Sequence, residues 1–245
     1  MINKIIIYMA FKATYLGSNG WIIEFKNSRI VIDPWLLGDL VFPPGAWFFK
    51  GTLKDDIPIP KNIDLILLTQ GLPDHCHIPS LNKFPKNTKV ICSKSAFKVL
   101  DELNFKSINI IEPGKHLKFN EINIEATSGA AVPQIENGYI LETNDGSFYI
   151  EPHGFLDNKL KPRKLDAVIT PTKNLELPML GPFIKGADVV PRLIKLFNPR
   201  YILSSTTGGD AQFSGILNSF ISLEEYNKVH DCKILDLEQM QSVVI

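Results

Sequence analysis

The stretch "IDLILLTQGLPDHCH", Ile63–His77, joins an apolar run to a loop that is rich in groups able to bind metals. From Ile63 to Thr69 the run has the length and unbroken hydrophobicity of a strand covered on both faces. The loop that follows leaves the carboxyl end of this strand and carries Asp74 and His75 side by side. The stretch therefore predicts a buried strand of an α/β sheet with ionisable groups at its end.

The segments around this stretch alternate between strand and helix patterns, which is typical of an α/β protein. Turn residues and apolar spacing mark the element boundaries. In chain order we expect a hairpin over Trp21–Asp33, a short helix at Pro79, a strand over 89–93, a helix over 95–103 capped by Ser93 or Ser95, a hairpin turn at 144–146, and helices over 187–197 and 222–230.

Length and charge limit the classes of partner. The 245 residues suit one domain over 1–245, with 1–12 as a leader or an edge strand. Lys plus Arg equals Asp plus Glu at 26 each, so no net field attracts nucleic acid or a membrane surface. We expect a small-molecule substrate or ligand, with no nucleic acid and no membrane. The three cysteines lack framework spacing, which favours free thiols and a cytoplasmic location; the oligomeric state is left open.

An aromatic segment, "PWLLGDLVFPPGAWFFKG", follows the first hairpin and contains five aromatic residues between Trp35 and Phe49. Its prolines and glycines favour an irregular loop. The rings either form a pocket lid or partner patch, or cover the open edge of a sheet. The segment Leu177–Asp188 is a candidate second wall of the same pocket.

The order of several motifs resembles the metallo-β-lactamase superfamily, in particular its lactonase-like branch of small hydrolases. The likeness runs from about Ala13 to Gly215 and is carried by "YLGSNGWIIEF", "RIVIDPWL", "IDLILLTQGLPDHCH", "SFYIEP" and "NPRYILSSTTGG". The resemblance implies a four-layered αββα sandwich, in which helices flank two sheets and metals lie at one edge.

The metal-binding motif of that family is only partly kept. Its H-x-H-x-D-H pattern is matched by Gln70, Leu72, Asp74 and His75, so two of four ligands remain. The other family positions hold no matching ligand: they fall at Ser128 and Gly129, at Glu151 and His153, and at Ser205–Thr207.

One metal position is therefore lost and the other is retained in part. A leucine side chain has no lone pair for a metal, so no tri-histidine position can form. One ion could still bind to Asp74 and His75 if His153, Glu151 or Asp210 supplied a third ligand. Asp74, His75 and His153 form the two-histidine, one-carboxylate set that suits iron or manganese, with zinc as a further choice. Either one divalent metal (Zn, Mn or Fe) binds, or none does.

Two functions from different classes remain open. The first is a divergent hydrolase-like protein of unknown substrate with at most one metal. In it Asp33 would support the ligands and Gln70 would donate a hydrogen bond to substrate, while Glu151 and Asp210 would line the pocket. The alternative is a non-catalytic ligand- or partner-binding protein on the same fold. The other histidines, His77, His116 and His230, match no family ligand and are left out of the site.

Overall fold

The computed structural model describes residues 11–131, 134–177, 181–206, 211–226 and 232–245. The leader or edge strand expected over 1–12 therefore lies almost wholly outside the described residues. In the described ranges the strands are β1 Lys12–Gly17, β2 Gly20–Phe25, β3 Ser28–Ile32, β4 Asp39–Phe42, β5 Phe49–Leu53, β6 Leu65–Leu68, β7 Lys89–Cys92, β8 Ile108–Ile110, β9 His116–Phe119, β10 Ile122–Ser128, β11 Asn137–Glu142, β12 Ser147–Ile150, β13 Ala167–Pro171, β14 Lys173–Leu177, β15 Gly181–Lys185, β16 Tyr201–Ser205, β17 Ala211–Ser214, β18 Ser222–Glu225, β19 Lys233–Leu235 and β20 Ser242–Val244. The α-helices are α1 Ile78–Leu81, α2 Lys94–Leu100 and α3 Gly186–Phe197, and 3₁₀ turns cover Asp101–Leu103 and Leu217–Phe220.

Two large sheets form the centre of the molecule. The first has the strand order β20-β1-β2-β3-β6-β7-β8 and the second β19-β16-β13-β12-β11-β10-β9. In each sheet antiparallel hairpins are joined to parallel strands, as in β3 with β6 and β12 with β13. Parallel neighbours bring their carboxyl ends to the same edge, which is where the predicted site loops begin.

Apolar residues fill three spaces and so define four layers. Between the sheets, residues such as Trp21 and Tyr139 form the largest core cluster. Helix α2 covers the outer face of the first sheet, where Leu100 packs with Val90. Helix α3 covers the outer face of the second sheet through Phe197. The predicted αββα sandwich is confirmed.

Local sequence patterns explain several of these elements. All four residues of β6 are buried, as expected for a strand covered on both faces. The hairpin predicted over Trp21–Asp33 is present as β2 and β3. Ser93, rather than Ser95, caps α2, and its hydroxyl accepts a hydrogen bond from the Ala96 N–H at 3.3 Å.

The aromatic segment is not the irregular loop that we predicted. Strands β4 and β5 form a hairpin, and β17 extends it to a three-stranded sheet. The rings of Phe42 and Phe49 lie 5.1 Å apart, and Trp35 is buried beneath the sheet. Trp47 remains 62% exposed. The prolines form the turn of the hairpin, and the third strand, β17, comes from residues about 160 positions later in the chain.

The helix predicted over 222–230 is also wrong at its start. Residues Ser222–Glu225 form a strand that pairs antiparallel with β14, so backbone pairing with a distant strand outweighs the local helical pattern. Residues 227–230 lie outside the described residues. Strand β15, in the segment Leu177–Asp188 proposed as a pocket wall, forms a hairpin with β14 in the same small sheet. No helix within the described ranges is long and apolar enough to cross a membrane.

Candidate metal centre

His75 is held by groups from two neighbouring strand ends. Its Nδ1 lies 2.8 Å from Asp33 Oδ2, and both side chains are fully buried. Asp33 follows β3 and also accepts a hydrogen bond from the Thr69 N–H, at 2.9 Å, and one from the Thr69 hydroxyl. With Nδ1 facing a carboxylate, Nε2 of His75 is the nitrogen that points away from Asp33 and is available to bind a metal.

Asp74 and Asn19 meet His75 at this second nitrogen. The distance from His75 Nε2 to Asp74 Oδ2 is 3.1 Å, and the Asn19 amide nitrogen lies 3.2 Å from each of these two atoms. Asn19 belongs to the turn between β1 and β2. Its own oxygen accepts a hydrogen bond from the Thr206 hydroxyl at 3.0 Å, so the NH₂ group is directed into the site.

His153 reaches the same place from the second sheet. It follows β12, and its ring centroid lies 4.9 Å from that of His75. The carboxylate of Glu136 lies 2.7 Å from His153 Nδ1 and also accepts a hydrogen bond from the Ala130 N–H at 3.0 Å. His153 was one of three residues suggested from the sequence as a third ligand beside Asp74 and His75, and the structure places its ring next to that of His75.

Glu136 occupies space next to Gly129, one of the residues at which the family motif would place another histidine. A Cβ atom added to Gly129 would lie 2.8 Å from Glu136 Oε2. The glycine thus leaves room for the carboxylate, and the described residues place no nitrogen ligand there.

Three donors converge on one point. One ligand atom each from Asp74, His75 and His153 lie within 4.8 Å of one another. Asp74 Oδ1 is buried and has no hydrogen-bond partner within the described part of the chain. Two imidazoles, one carboxylate and an unpartnered buried oxygen fit a single divalent cation.

The charges of these groups are strongly coupled. Burial acts to lower the pKa of His75, but Asp74 and Asp33 raise it well above its ordinary value. Burial acts to raise the pKa of Asp74, yet His75 and His153 hold it below the usual range. The pKa of Asp33 is raised by burial, although His75 opposes the shift. The charge on each of these side chains therefore depends on the charges of its neighbours.

Glu151 does not join the donor cluster, contrary to one of the options for the third ligand. Its side chain is fully buried and accepts hydrogen bonds from the backbone N–H groups of His153, at 3.4 Å, and Gly154. Burial and then the charge of Glu136 raise its pKa well above the usual range. The carboxyl group thus holds the turn that carries His153.

The remaining predicted positions have other roles or cannot be placed. Ser205 accepts a hydrogen bond from the Trp21 indole at 3.1 Å, and Thr206 orients Asn19. Asp210, a predicted pocket residue, lies outside the described residues. Gln70 was expected to donate to substrate, but it is only 1% exposed and its amide nitrogen faces the two histidines.

Sequence reasoning missed Asn19 and Glu136. Asn19 lies within "GSNG", which reads as an ordinary turn, and Glu136 lies in a loop before β11 without a motif of its own. In the sequence, the one feature that could have pointed to these two residues is that each is polar and lies next to a buried strand.

A family model described as the beta-lactamase superfamily domain matches residues 12–205 of this sequence. The chain belongs to the metallo-β-lactamase superfamily. No curated protein is similar enough in sequence to match.

Solved structures with the same fold cover nearly the whole chain. A possible metal-dependent hydrolase from Veillonella parvula is 16% identical with a TM-score of 0.66, over 96% of this chain and 99% of that one. The metallo-β-lactamase fold protein YhfI from Bacillus subtilis is 11% identical with a TM-score of 0.64, over 95% and 99% of the two chains. An isothiocyanate hydrolase from Delia radicum gut bacteria is 17% identical with a TM-score of 0.63, over 80% and 85%. At these identities the likeness shows the fold alone, and this fold family commonly binds divalent metals.

Proposed function

We propose that this metallo-β-lactamase-superfamily protein is a hydrolase that acts on a small molecule with one divalent metal, held by Asp74, His75 and His153. The observation that carries the proposal is the convergence of these three donors within 4.8 Å, next to the unpartnered buried Asp74 Oδ1. A site with three protein ligands keeps coordination positions open for chemistry.

A second ion has no comparable set of ligands among the described residues. Leu72 offers no donor at the motif position, and Gly129 and Ser205 stand where further ligands would be needed. We therefore propose one ion, of zinc, manganese or iron, and no dinuclear centre.

The chain's own residues prepare this place for hydrolysis. A divalent ion bound there supplies Lewis-acid chemistry for attack by water at a carbonyl or phosphoryl centre. Asp33 accepts the Nδ1 proton of His75 and leaves Nε2 to face the cluster, and Glu136 fixes His153 in the same way. The side chains of Asp74 and His153 are 17% and 12% exposed, which gives a substrate access to an otherwise buried site.

One surface cavity has a wall that includes residues next to members of the site. It encloses about 560 Å³, and its wall includes Gly154, next to His153, and Gly129, next to Glu136. Lys185 and Arg192 also line it. A larger cavity, of about 790 Å³, includes Lys89 at the amino end of β7 and so lies at the opposite edge of the sheet from the site. Neither cavity is lined by Asp74, His75 or His153. We assign substrate binding to the smaller one, because Gly154 in its wall directly follows His153 in the chain.

Elemental analysis tests the proposal directly. Protein purified without added metal or chelator is expected to contain about one transition metal per chain. The double variant Asp74→Ala, His75→Ala is expected to lose it, whereas His116→Ala, which changes an exposed histidine, retains it. Wild-type protein with no metal, or with two tightly bound ions, would overturn the proposal.

The non-catalytic alternative gains no specific support from the fold or the neighbours. It would follow if wild-type protein failed to take up zinc, manganese or iron when titrated with each. In that case Gln70, Asn19 and Asp74 would simply hold the two histidines by hydrogen bonds.

A further inference from the structure

Two side-chain amides face the same nitrogen of His75 but differ in how they are held. The amide nitrogens of Asn19 and Gln70 both lie 3.2 Å from His75 Nε2. The Asn19 oxygen accepts a hydrogen bond from Thr206, which fixes the orientation of that amide. The Gln70 oxygen is buried and has no hydrogen-bond partner within the described ranges. A buried amide oxygen without a partner calls for a donor or a cation.

The outer end of Gln70 lies between the two histidine ligands. Its nitrogen is 3.2 Å from His75 Nε2, 3.2 Å from His153 Nδ1 and 3.4 Å from Glu136 Oε1. The nitrogen and oxygen of a side-chain amide have nearly the same shape, so a half-turn about the last bond exchanges them. That rotation would bring the unpartnered oxygen to the position between the histidines.

The spacing of these atoms matches that of ligands around one ion. Ligands about 2.1 Å from a metal lie about 3.0 to 3.4 Å from each other in octahedral or tetrahedral geometry. The Asp74 Oδ2 to His75 Nε2 distance is 3.1 Å, and the outer atom of Gln70 is 3.2 Å from a nitrogen of each histidine. The outer atom of Gln70 is thus at ligand spacing from His75 Nε2, the nitrogen that faces the donor cluster. Near His153 it lies beside Nδ1, which Glu136 also contacts at 2.7 Å.

We propose that Gln70 is a fourth metal ligand through its side-chain oxygen, at the motif position where the family has a histidine. This inference rests on the proposed function, because it requires the ion held by Asp74, His75 and His153. It makes the ligand set two imidazole nitrogens and two oxygens. An added oxygen ligand favours manganese or iron relative to zinc, compared with a site that has a third imidazole.

Metal affinity of Gln70 variants tests this assignment. In chelator competition with Mn²⁺ and Zn²⁺, Gln70→Ala is expected to bind Mn²⁺ more than about 10-fold less tightly than wild type. Gln70→Glu, which keeps an oxygen donor, is expected to bind at least as tightly as wild type. Gln70→His is expected to change the preference between the two ions toward zinc by about 10-fold or more. The matched control is Gln134→Ala, because Gln134 comes from the loop before β11 and its side chain lies beside Gly71, the residue after Gln70.

The visible absorption of the Co²⁺-loaded proteins gives a second readout that does not depend on folding stability. Gln70→Glu is expected to keep the wild-type band pattern and Gln134→Ala to leave it unchanged, whereas Gln70→His alters it. Wild-type affinity for both ions in Gln70→Ala, together with loss of metal in Asp74→Ala, His75→Ala, would overturn the role of Gln70 and leave the proposed function standing. If the wild type bound no metal at all, both proposals would fail.

Discussion

The two histidines of the candidate site are held in similar ways by different parts of the molecule. Asp33 Oδ2 lies 2.8 Å from His75 Nδ1, and Glu136 Oε1 lies 2.7 Å from His153 Nδ1. Asp33 and His75 follow adjacent parallel strands of the first sheet, and both are fully buried. Glu136 comes from a loop of the second half, and the His153 side chain is 12% exposed.

Both histidines have a carboxylate against Nδ1, but the carboxylate at the sheet edge is held by more of its surroundings than the one in the loop. The carboxylate of Asp33 is bonded to both the backbone and the hydroxyl of Thr69, so its position is set by strand pairing. The Glu136 carboxylate accepts one backbone hydrogen bond, from Ala130, and a long one from the Gln70 amide, and it occupies the space left by Gly129. Substitutions on the His75 half should therefore cost more stability than those on the His153 half.

The largest effect is expected for Asp33→Ala. The change leaves His75 and the Thr69 N–H buried without their partner, and breaking one side of a buried pair costs about 3 to 5 kcal/mol. Urea unfolding of metal-free protein would measure the change in the free energy of unfolding. Asp55→Ala, at an exposed position, is the control and should remain near the wild-type value. A loss for Asp33→Ala below about 1 kcal/mol would contradict the importance of the sheet-edge contact.

A smaller effect is expected for Glu136→Ala. His153 keeps access to solvent and can be hydrated, so the loss should be about 2 kcal/mol, in the range for hydrogen bonds to charged groups. The same unfolding measurement applies, with Glu121→Ala as the exposed control. A loss larger than that of Asp33→Ala would reverse the comparison between the two halves.

Gly129→Ala tests the space around Glu136 without removing a charge. The new Cβ would lie 2.8 Å from Glu136 Oε2, so the carboxylate must shift, at a cost of about 1 to 2 kcal/mol. Metal affinity should fall as well, because His153 loses its fixed position. The double variant Gly129→Ala, Glu136→Ala should cost less than the sum of the two single changes. Full additivity would show that the two sites are independent.

The smallest effect concerns pH. Burial acts to raise the pKa of Glu136, but His153 and His75 lower it below its ordinary value. A depressed folded-state pKa contributes stability above the unfolded value of about 4.3, and this stability is lost as pH falls through the folded-state pKa. Acidification from about pH 6 to about pH 3 should therefore narrow the stability gap between wild type and Glu136→Gln, by about 1 kcal/mol or less. A gap that widened would contradict the sign of the shift.

The same contrast decides what could be predicted from the sequence. Strands β2, β3 and β6 and helix α3 follow from local apolar patterns and turn residues. Strands β17 and β18 were missed because each pairs with a strand that is distant in sequence, β5 and β14 respectively. A local pattern carries no information about such a partner.

The candidate site divides in the same way. Asp33, Asp74 and His75 lie at strand ends or in a motif, and His153 was placed through the family resemblance. Glu136 and Asn19 could not be found, because a single buried polar residue in a loop becomes meaningful only when the fold brings it to a partner. Gln70 was predicted as a site residue, but the orientation of its side chain toward the histidines was not. The motif gives the position of a residue in the sequence and not the packing around it.

Anomalous diffraction from crystals grown with Mn²⁺ would test the central claim most directly. If one ion binds as proposed, we expect one anomalous peak per chain at this site, within about 2.0 to 2.4 Å of oxygen or nitrogen atoms of Asp74, His75 and His153. Two peaks at the site, a peak bound by other residues, or no peak at a saturating Mn²⁺ concentration would contradict it.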